Sequence, residues 1–264
     1  MSLTEVARHD LLVVRRSLLL KAVLAVLLAA PVVGVFVGFG LGSDPSFRFL
    51  LLSMWLVVGG VVPLVGVLAA APAVAGAREA GRLRLLLSTP TERATVAGGV
   101  LCSRLLVVVG SLAVGLCAGV VALVAVTPQL APGRLAGFVL FTLLVATAYV
   151  SLGLAVSVAV GSATRALVGS VVLFVGTLLW PQIASVLHGI VTDLGVAAPE
   201  AAFLVLGRLS PFGAYSQVIS DPGAIYGVEV TTPLLGSGVM AVVLALWATL
   251  PLALALRRFS RSDL

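Results

Sequence analysis

The sequence predicts an all-α integral membrane protein with six transmembrane helices, and two observations lead to this fold class. Hydrophobic residues make up 61% and charged residues only 10% of the 264 residues, whereas an average soluble domain is about 25% charged. Six apolar stretches are also long enough to cross a bilayer, which takes about 20 residues per helix. A soluble domain of this length cannot bury so much apolar surface. An ordinary water-soluble enzyme, a disordered protein and a disulfide-rich secreted scaffold are therefore excluded.

The six apolar stretches are continuous, whereas lipid-facing strands would alternate over about 10 residues. Helices satisfy their own backbone hydrogen bonds in lipid, so we interpret all six as helices within a single transmembrane domain, 1–264. The predicted spans are 19–41, 50–75, 105–126, 135–160, 166–187 and 234–256.

The basic residues predict which side of the membrane each connection faces. All but three of the 16 Lys and Arg residues fall on one side, and the exceptions are Arg48, Arg134 and Arg208. The acidic residues are split evenly between the two sides. Cytoplasmic loops carry the excess of Lys and Arg. The sequence therefore predicts a multi-pass protein of the cell (plasma) membrane with both termini in the cytoplasm.

The first 18 residues do not form a span but repeat apolar residues at helical spacing. The apolar positions are Leu3, Ala7, Leu11, Val14 and Leu18. Basic residues such as Arg8 and Arg15 lie on other faces, which predicts an amphipathic interfacial helix over 1–18 on the inner leaflet. The alternative is a positive flank that only sets the topology.

The longest cytoplasmic segment, 76–104, predicts two helices. Apolar Leu83, Leu86 and Leu87 can share one face of a short amphipathic helix over 77–87. Thr89-Pro90 then has the pattern of a helix start, with a cap residue before a first-turn proline, and this second helix is expected to continue into span three. The alternative is a solvated loop that sets the topology.

Two further short helices are predicted between spans five and six, over 199–208 and 211–219. Ser210-Pro211 has the pattern of a helix cap followed by a first-turn proline. The apolar faces of both helices predict that they enter the outer leaflet. The alternative is a simple lid over the bundle.

Motifs for catalysis and nucleotide binding are missing from the sequence. The only lysine, Lys21, is not part of a Walker A loop, and no span carries an acidic pair or a Ser/His arrangement. Two histidines and two cysteines without a cluster predict no metal site. The middles of the spans contain no ionisable residue, which argues against a proton relay. The sequence predicts a chain that is not an enzyme and binds no cofactor.

Nine residues of the 76–104 segment resemble the loop between spans two and three of the ABC type-2 exporter permeases. They are Glu79, Gly81, Leu83, Leu86, Leu87, Ser88, Pro90, Arg93 and Gly98. That family often shows Glu-x-Gly-Thr-Leu-x-x-Leu-Leu-Ser-x-Pro there. Two positions differ, because Arg82 stands where Thr is frequent and Gly99 where Lys is frequent. The order of the six spans and the interfacial helix fit the family as well.

The resemblance implies that 77–87 is a coupling helix that docks into a cleft of an ATPase. Its implied ATPase-coupling residues are Glu79, Gly81, Arg82, Leu83, Arg84, Leu86, Leu87, Pro90 and Arg93. Two ATPase copies would bind ATP and Mg²⁺, and a second permease, identical or related, would complete the transporter. The two outer helices would border the exit of the path, with Ser210, Pro211, Phe212 and Tyr215 as the outer gate. Membrane lipid is the other expected partner, and nucleic acid is not expected.

The predicted function is therefore the membrane permease subunit of an ATP-driven ABC exporter. Two alternatives from other classes are an ATP-independent channel or carrier and a non-transporting membrane scaffold. A membrane-embedded enzyme is a third, although the sequence offers no residues for it.

Overall fold

A computed structural model describes residues 3–41, 46–81, 93–127, 130–197, 199–219 and 233–261. Within these ranges the chain forms ten α-helices and one 3₁₀ turn, Pro233–Leu235, with no strand. The helices are α1 Leu3–Arg16, α2 Leu18–Leu41, α3 Phe47–Ala70, α4 Pro72–Glu79, α5 Arg93–Val126, α6 Pro132–Ala159, α7 Ala163–Asp193, α8 Glu200–Arg208, α9 Pro211–Ile219 and α10 Ser237–Arg261.

Six segments in the described part of the chain are long and apolar enough to cross a membrane, which confirms the predicted fold class. They are Leu18–Leu41, Phe47–Glu79, Thr95–Val126, Pro132–Ala159, Ala163–Asp193 and Ser237–Arg257. The second segment combines α3 and α4, which are separated at Ala71.

Several predicted boundaries are corrected by helix caps and prolines. The third span was predicted from residue 105, but α5 already begins at Arg93 in the described part of the chain. The fifth was predicted over 166–187, but Ser162 caps α7 and the helix continues to Asp193. The sixth was predicted from residue 234, but Pro233–Leu235 forms a 3₁₀ turn and α10 begins only after it.

The centre of the bundle is formed by α2, α3, α5 and α6, which approach each other closely at glycines. A Cβ atom at Gly34 of α2 would lie 2.5 Å from the Met54 Cα atom of α3, and one at Gly153 of α6 would lie 2.6 Å from the Val67 carbonyl oxygen of α3. Any larger residue would force the backbones apart. The glycines at these positions thus serve packing inside the bundle.

The fifth and sixth spans lie at the periphery. Only 17% of the most apolar window of α7 and 22% of that of α10 is buried, against 67% for α6. The exposed faces of α7 and α10 are apolar, with side chains such as Val172 and Leu254 on the surface. Their solvent is lipid or another protein.

The short helices lie at opposite ends of the bundle. We call the end that holds α1, α4 and the turn between α6 and α7 the α1 end, and the end that holds α8 and α9 the hairpin end. The prediction of one unbroken helix over 77–87 is wrong. Ala77 to Glu79 form the last turn of α4, and Gly81 follows with a φ of +71°. This left-handed conformation terminates a helix and favours glycine.

Candidate functional site

The start of α4 depends on a serine from α6. Pro72 has no N–H and begins a new helix, so the first N–H groups of α4 have no partner in α3. The Ser157 hydroxyl oxygen accepts both the Val74 and the Ala75 N–H at 3.0 Å. Because Ser157 is fully buried, no water can replace it. The break between α3 and α4 is therefore held together by α6.

The end of α4 is attached to two other helix ends by adjacent, oppositely charged residues. Arg78 donates to the Val160 carbonyl oxygen at 2.9 Å and to the Val158 carbonyl oxygen at 3.5 Å, at the C-terminal end of α6. Glu79 accepts the Ala163 N–H at 2.9 Å, at the N-terminal end of α7. A cation at a helix C-terminus and an anion at an N-terminus both complement the helix dipole. We call Ser157, Arg78 and Glu79, with the helix ends they bind, the α4 junction.

The α4 junction places two of the predicted coupling residues. Glu79 contacts α7, and Gly81 forms the turn that follows α4. Arg93 is the first residue of α5. The remaining predicted coupling residues lie outside the described residues. They are Arg82, Leu83, Arg84, Leu86, Leu87 and Pro90.

A second contact at the α1 end joins α1 to α5. Arg104 of α5 forms an ion pair with Asp10 of α1, with 2.9 Å between the Arg104 Nη2 and Asp10 Oδ1 atoms. The Ser103 hydroxyl donates to the other carboxylate oxygen of Asp10. Both charged side chains are largely buried, at 5% and 13% exposure, and Val6 of α1 packs into the core beside them. One face of α1 therefore contacts protein. From the sequence, this helix was expected to lie on the inner leaflet of the membrane.

At the hairpin end, α8 and α9 form a hairpin whose turn is capped by Ser210. The Ser210 hydroxyl accepts the Gly213 N–H at 2.9 Å, and Pro211 is the first residue of α9, as the sequence predicts. Tyr215 is fully buried, and its hydroxyl lies 2.8 Å from the Thr142 hydroxyl of α6. The hairpin is thus fixed to the central bundle.

Tryptophans complete the contacts of the hairpin. Trp180 of α7 donates to the Leu206 carbonyl oxygen at 2.9 Å, and Trp247 of α10 donates to the Leu209 carbonyl oxygen at 2.7 Å. Trp55 of α3 has its ring centroid 6.5 Å from that of Phe212 and 6.4 Å from that of Tyr215. The structure therefore brings Phe212 and Tyr215 together around Trp55, whereas Ser210 and Pro211 shape the turn.

Burial also shifts the acidity of two hairpin residues. It raises the pKa of the Tyr215 hydroxyl from its ordinary value, an effect that the hydrogen bond with Thr142 opposes. It lowers the pKa of Arg208 from its ordinary value. Tyr215 therefore stays neutral and acts as a hydrogen-bonding group. Within the described ranges, no group of three or more His, Cys, Asp or Glu side chains could hold a metal ion.

Four residues that join helices at the α1 end were not predicted from the sequence: Arg78, Ser157, Asp10 and Arg104. The contacts of Arg78 and Glu79 could have been predicted, because the two residues are adjacent and oppositely charged. A cation complements the C-terminus of one neighbouring helix, and an anion complements the N-terminus of another. Asp10 and Arg104 are 94 residues apart, and nothing in the spacing of either segment relates them.

The chain combines six spans, two short helices at each end and polar contacts between helix ends. This arrangement can be compared with known families. The model of a family described as ABC-2 family transporter protein matches residues 6–264, nearly the whole chain. The chain belongs to this ABC-2 family. A comparison with curated proteins finds no match.

Membership in the ABC-2 family makes the chain a permease. A permease is the membrane component of a transporter and does not itself catalyse a reaction. The family generally associates with an ABC ATPase partner. The six apolar helices and the family together identify a multi-pass membrane protein.

Proposed function

We propose that this ABC-2 permease is the membrane subunit of an ATP-driven exporter in the plasma membrane, with both termini in the cytoplasm. ATP and Mg²⁺ are bound by two copies of a separate ATPase subunit, since the only lysine of this chain lacks the surroundings of a Walker A loop. A second permease copy, identical or related, completes the path. The large excess of basic residues on the side of α1 supports the cytoplasmic assignment.

One observation carries the coupling part of this proposal. The segment 82–92, where the sequence predicts ATPase contacts, is flanked on both sides by contacts between helices. On one side the α4 junction joins α4 to α6 and α7. On the other side Arg104 joins α5 to α1. A force applied to this segment therefore acts on α4, α5, α6, α7 and α1 together.

The first experiment is co-purification of the tagged chain from its native membrane in mild detergent. We expect an ATPase with a Walker A motif to come with it in equal amount. Leu86→Asp is expected to remove the ATPase, because a buried carboxylate in an apolar contact is costly. Leu130→Asp is the matched control, since Leu130 is an exposed leucine in the loop between α5 and α6 at the hairpin end.

A chain that purifies alone at every salt concentration would contradict the proposal. Flux through the purified chain in liposomes without ATP would then identify a channel or carrier, and no flux would favour a scaffold. An ATPase that stays bound to Leu86→Asp would refute the assignment of segment 82–92 as the docking surface.

A second experiment tests the coupling residues in the assembled complex. Glu79→Ala removes the acceptor of the Ala163 N–H, and charge reversal at Arg82 and Arg84 changes the predicted docking surface. We expect these variants to insert normally and to lose the effect of the permease on the ATPase rate. Glu79→Gln keeps an acceptor oxygen and is the matched control. Unchanged ATPase stimulation in all variants would show that this segment is not the coupling element.

A further inference from the structure

A cavity of about 260 Å³ lies between α7 and α8 at the hairpin end. The two helices are in backbone contact at Gly207, where a Cβ atom would lie 3.2 Å from the Pro181 Cα atom. Farther along, the His188 ring of α7 packs against the Phe203 ring of α8, with 5.1 Å between their centroids. The cavity therefore has an apolar wall, to which Pro181 of α7 and Phe203 and Leu204 of α8 contribute.

Two opposite charges line this cavity without pairing with each other. Arg208 is half-buried, and its Nη1 atom donates to the Ser216 hydroxyl at 2.6 Å. Glu200 lines the same cavity at the other end of α8. Within the described ranges no ion pair joins the two side chains. Eight residues along α8 correspond to about 12 Å, which leaves room for a ligand between them.

Arg208 has no carboxylate partner within the described ranges, and a half-buried cation without a counter-ion is costly. Its position is fixed by the bonds of Trp180 and Trp247 to the carbonyl oxygens of Leu206 and Leu209. Trp247 lies ten residues into α10, about 15 Å from the start of that helix. The turn of the hairpin therefore lies alongside α10 and not beyond its end. Ionisable groups among the spans of a membrane protein are expensive and mark binding sites.

We propose that this cavity binds the headgroup of a zwitterionic phospholipid from the leaflet at the hairpin end. The phosphodiester contacts Arg208, because a guanidinium offers several donors to phosphate oxygens. The ammonium contacts Glu200. The acyl chains extend from the cavity into that leaflet.

The charges of the cavity favour this class of lipid over an anionic one. One cation and one anion complement a headgroup that carries both, whereas a lipid without an ammonium leaves Glu200 unpaired next to a phosphate. The lipid phosphate also supplies an anionic partner for Arg208, which forms no ion pair among the described residues. This inference does not depend on the exporter proposal, because a channel or a scaffold with this cavity would bind the same lipid.

The test is thermal unfolding of the delipidated full chain in detergent with added lipid. Phosphatidylethanolamine is expected to raise Tm more than phosphatidylglycerol does, and inorganic phosphate is expected to leave Tm unchanged. Arg208→Gln should weaken the apparent affinity for phosphatidylethanolamine by about tenfold or more, as for the loss of a hydrogen bond to a charged group. Glu200→Gln should abolish the preference over phosphatidylglycerol. Arg134→Gln, at an exposed arginine of the same end, is the control and should bind like the parent chain.

Equal binding by Arg208→Gln and the parent chain would overturn the proposal. An equal shift with inorganic phosphate would do so too, because it would assign the cavity to a free anion. If Arg208→Gln does not fold, Ser185→Phe replaces it as the test. Ser185 is an exposed residue that lines the cavity, so a larger side chain there fills the space and leaves the hydrogen bond between Arg208 and Ser216 in place. Ser185→Phe is expected to lose the phosphatidylethanolamine shift, and its retention would refute the site.

Discussion

The two ends of this permease hold their short helices with different chemistry. At the α1 end the contacts use charged side chains, as in the ion pair of Asp10 with Arg104 and the contacts of Arg78 and Glu79 with helix ends. At the hairpin end most contacts use neutral donors, as in the hydroxyl of Tyr215 and the indoles of Trp180 and Trp247. Neutral groups avoid the cost of removing an ion from water.

The difference follows from the backbone groups that each end binds. The α4 junction binds the terminal N–H and C=O groups of helices, which carry partial charges and attract full ones. The hairpin binds carbonyl groups about 15 Å along α10, well inside a span. Three substitutions probe how much each kind of contact stabilises its end, and they are ordered from the largest expected effect to the smallest.

Breaking the ion pair of α1 should have the largest effect on stability. Asp10→Ala leaves Arg104 buried without its carboxylate, and the loss of one partner of a buried pair costs about 3 kcal/mol. Thermal unfolding of the purified chain and protease cleavage within α1 measure the result. Arg165→Ala, at an exposed arginine of the same end, is the control.

The double variant with Asp10→Ala and Arg104→Ala sharpens this prediction. It removes both charges, so it should be more stable than Asp10→Ala alone. A single variant as stable as the parent chain would mean that α1 is held by the apolar contact of Val6 instead.

Removing the Ser157 hydroxyl should have the second largest effect. Ser157→Ala leaves the Val74 and Ala75 N–H groups buried without an acceptor, which costs about 2 kcal/mol. Ser170→Ala is a matched control, because Ser170 is equally buried and its hydroxyl has no partner in the described part of the chain. Equal loss of unfolding free energy in both variants would refute the role of Ser157.

Removing one neutral contact of the hairpin should have the smallest effect. Tyr215→Phe loses the bond with Thr142, and a neutral hydrogen bond contributes about 1 kcal/mol. A double-mutant cycle with Thr142→Val, measured by thermal unfolding, should return a coupling energy of that size. Additive effects of the two substitutions would show that the two hydroxyls do not stabilise each other.

Much of this architecture is readable from local sequence patterns. Hydropathy predicts the six spans, and the dipeptide Ser210-Pro211 predicts the start of α9 because capping chemistry is local. Gly81 shows the limit of such patterns. The leucines that follow it favour one helix over 77–87, but the left-handed glycine ends α4 there.

Contacts between distant parts of the chain could not be predicted in this way. Ser157 lies 83 residues from Val74, and its role depends on the break at Pro72 facing α6. Trp55 packs near Tyr215 only because the hairpin folds back between the spans. The coupling role of all nine predicted residues between Glu79 and Arg93 remains a prediction, and so does the role of Ser210, Pro211, Phe212 and Tyr215 as an outer gate.

The single oxygen of Ser157 gives the joint between α3 and α4 a particular mechanical character. A serine hydroxyl has two lone pairs and a proton that rotates freely. The two N–H groups of α4 can therefore pivot about the oxygen and keep their bonds, whereas a sliding motion would break both. With eight residues, α4 is about 12 Å long, so a pivot of about 10° would move its Glu79 end by about 2 Å. Because Glu79 accepts the Ala163 N–H, such a pivot would be transmitted to the start of α7.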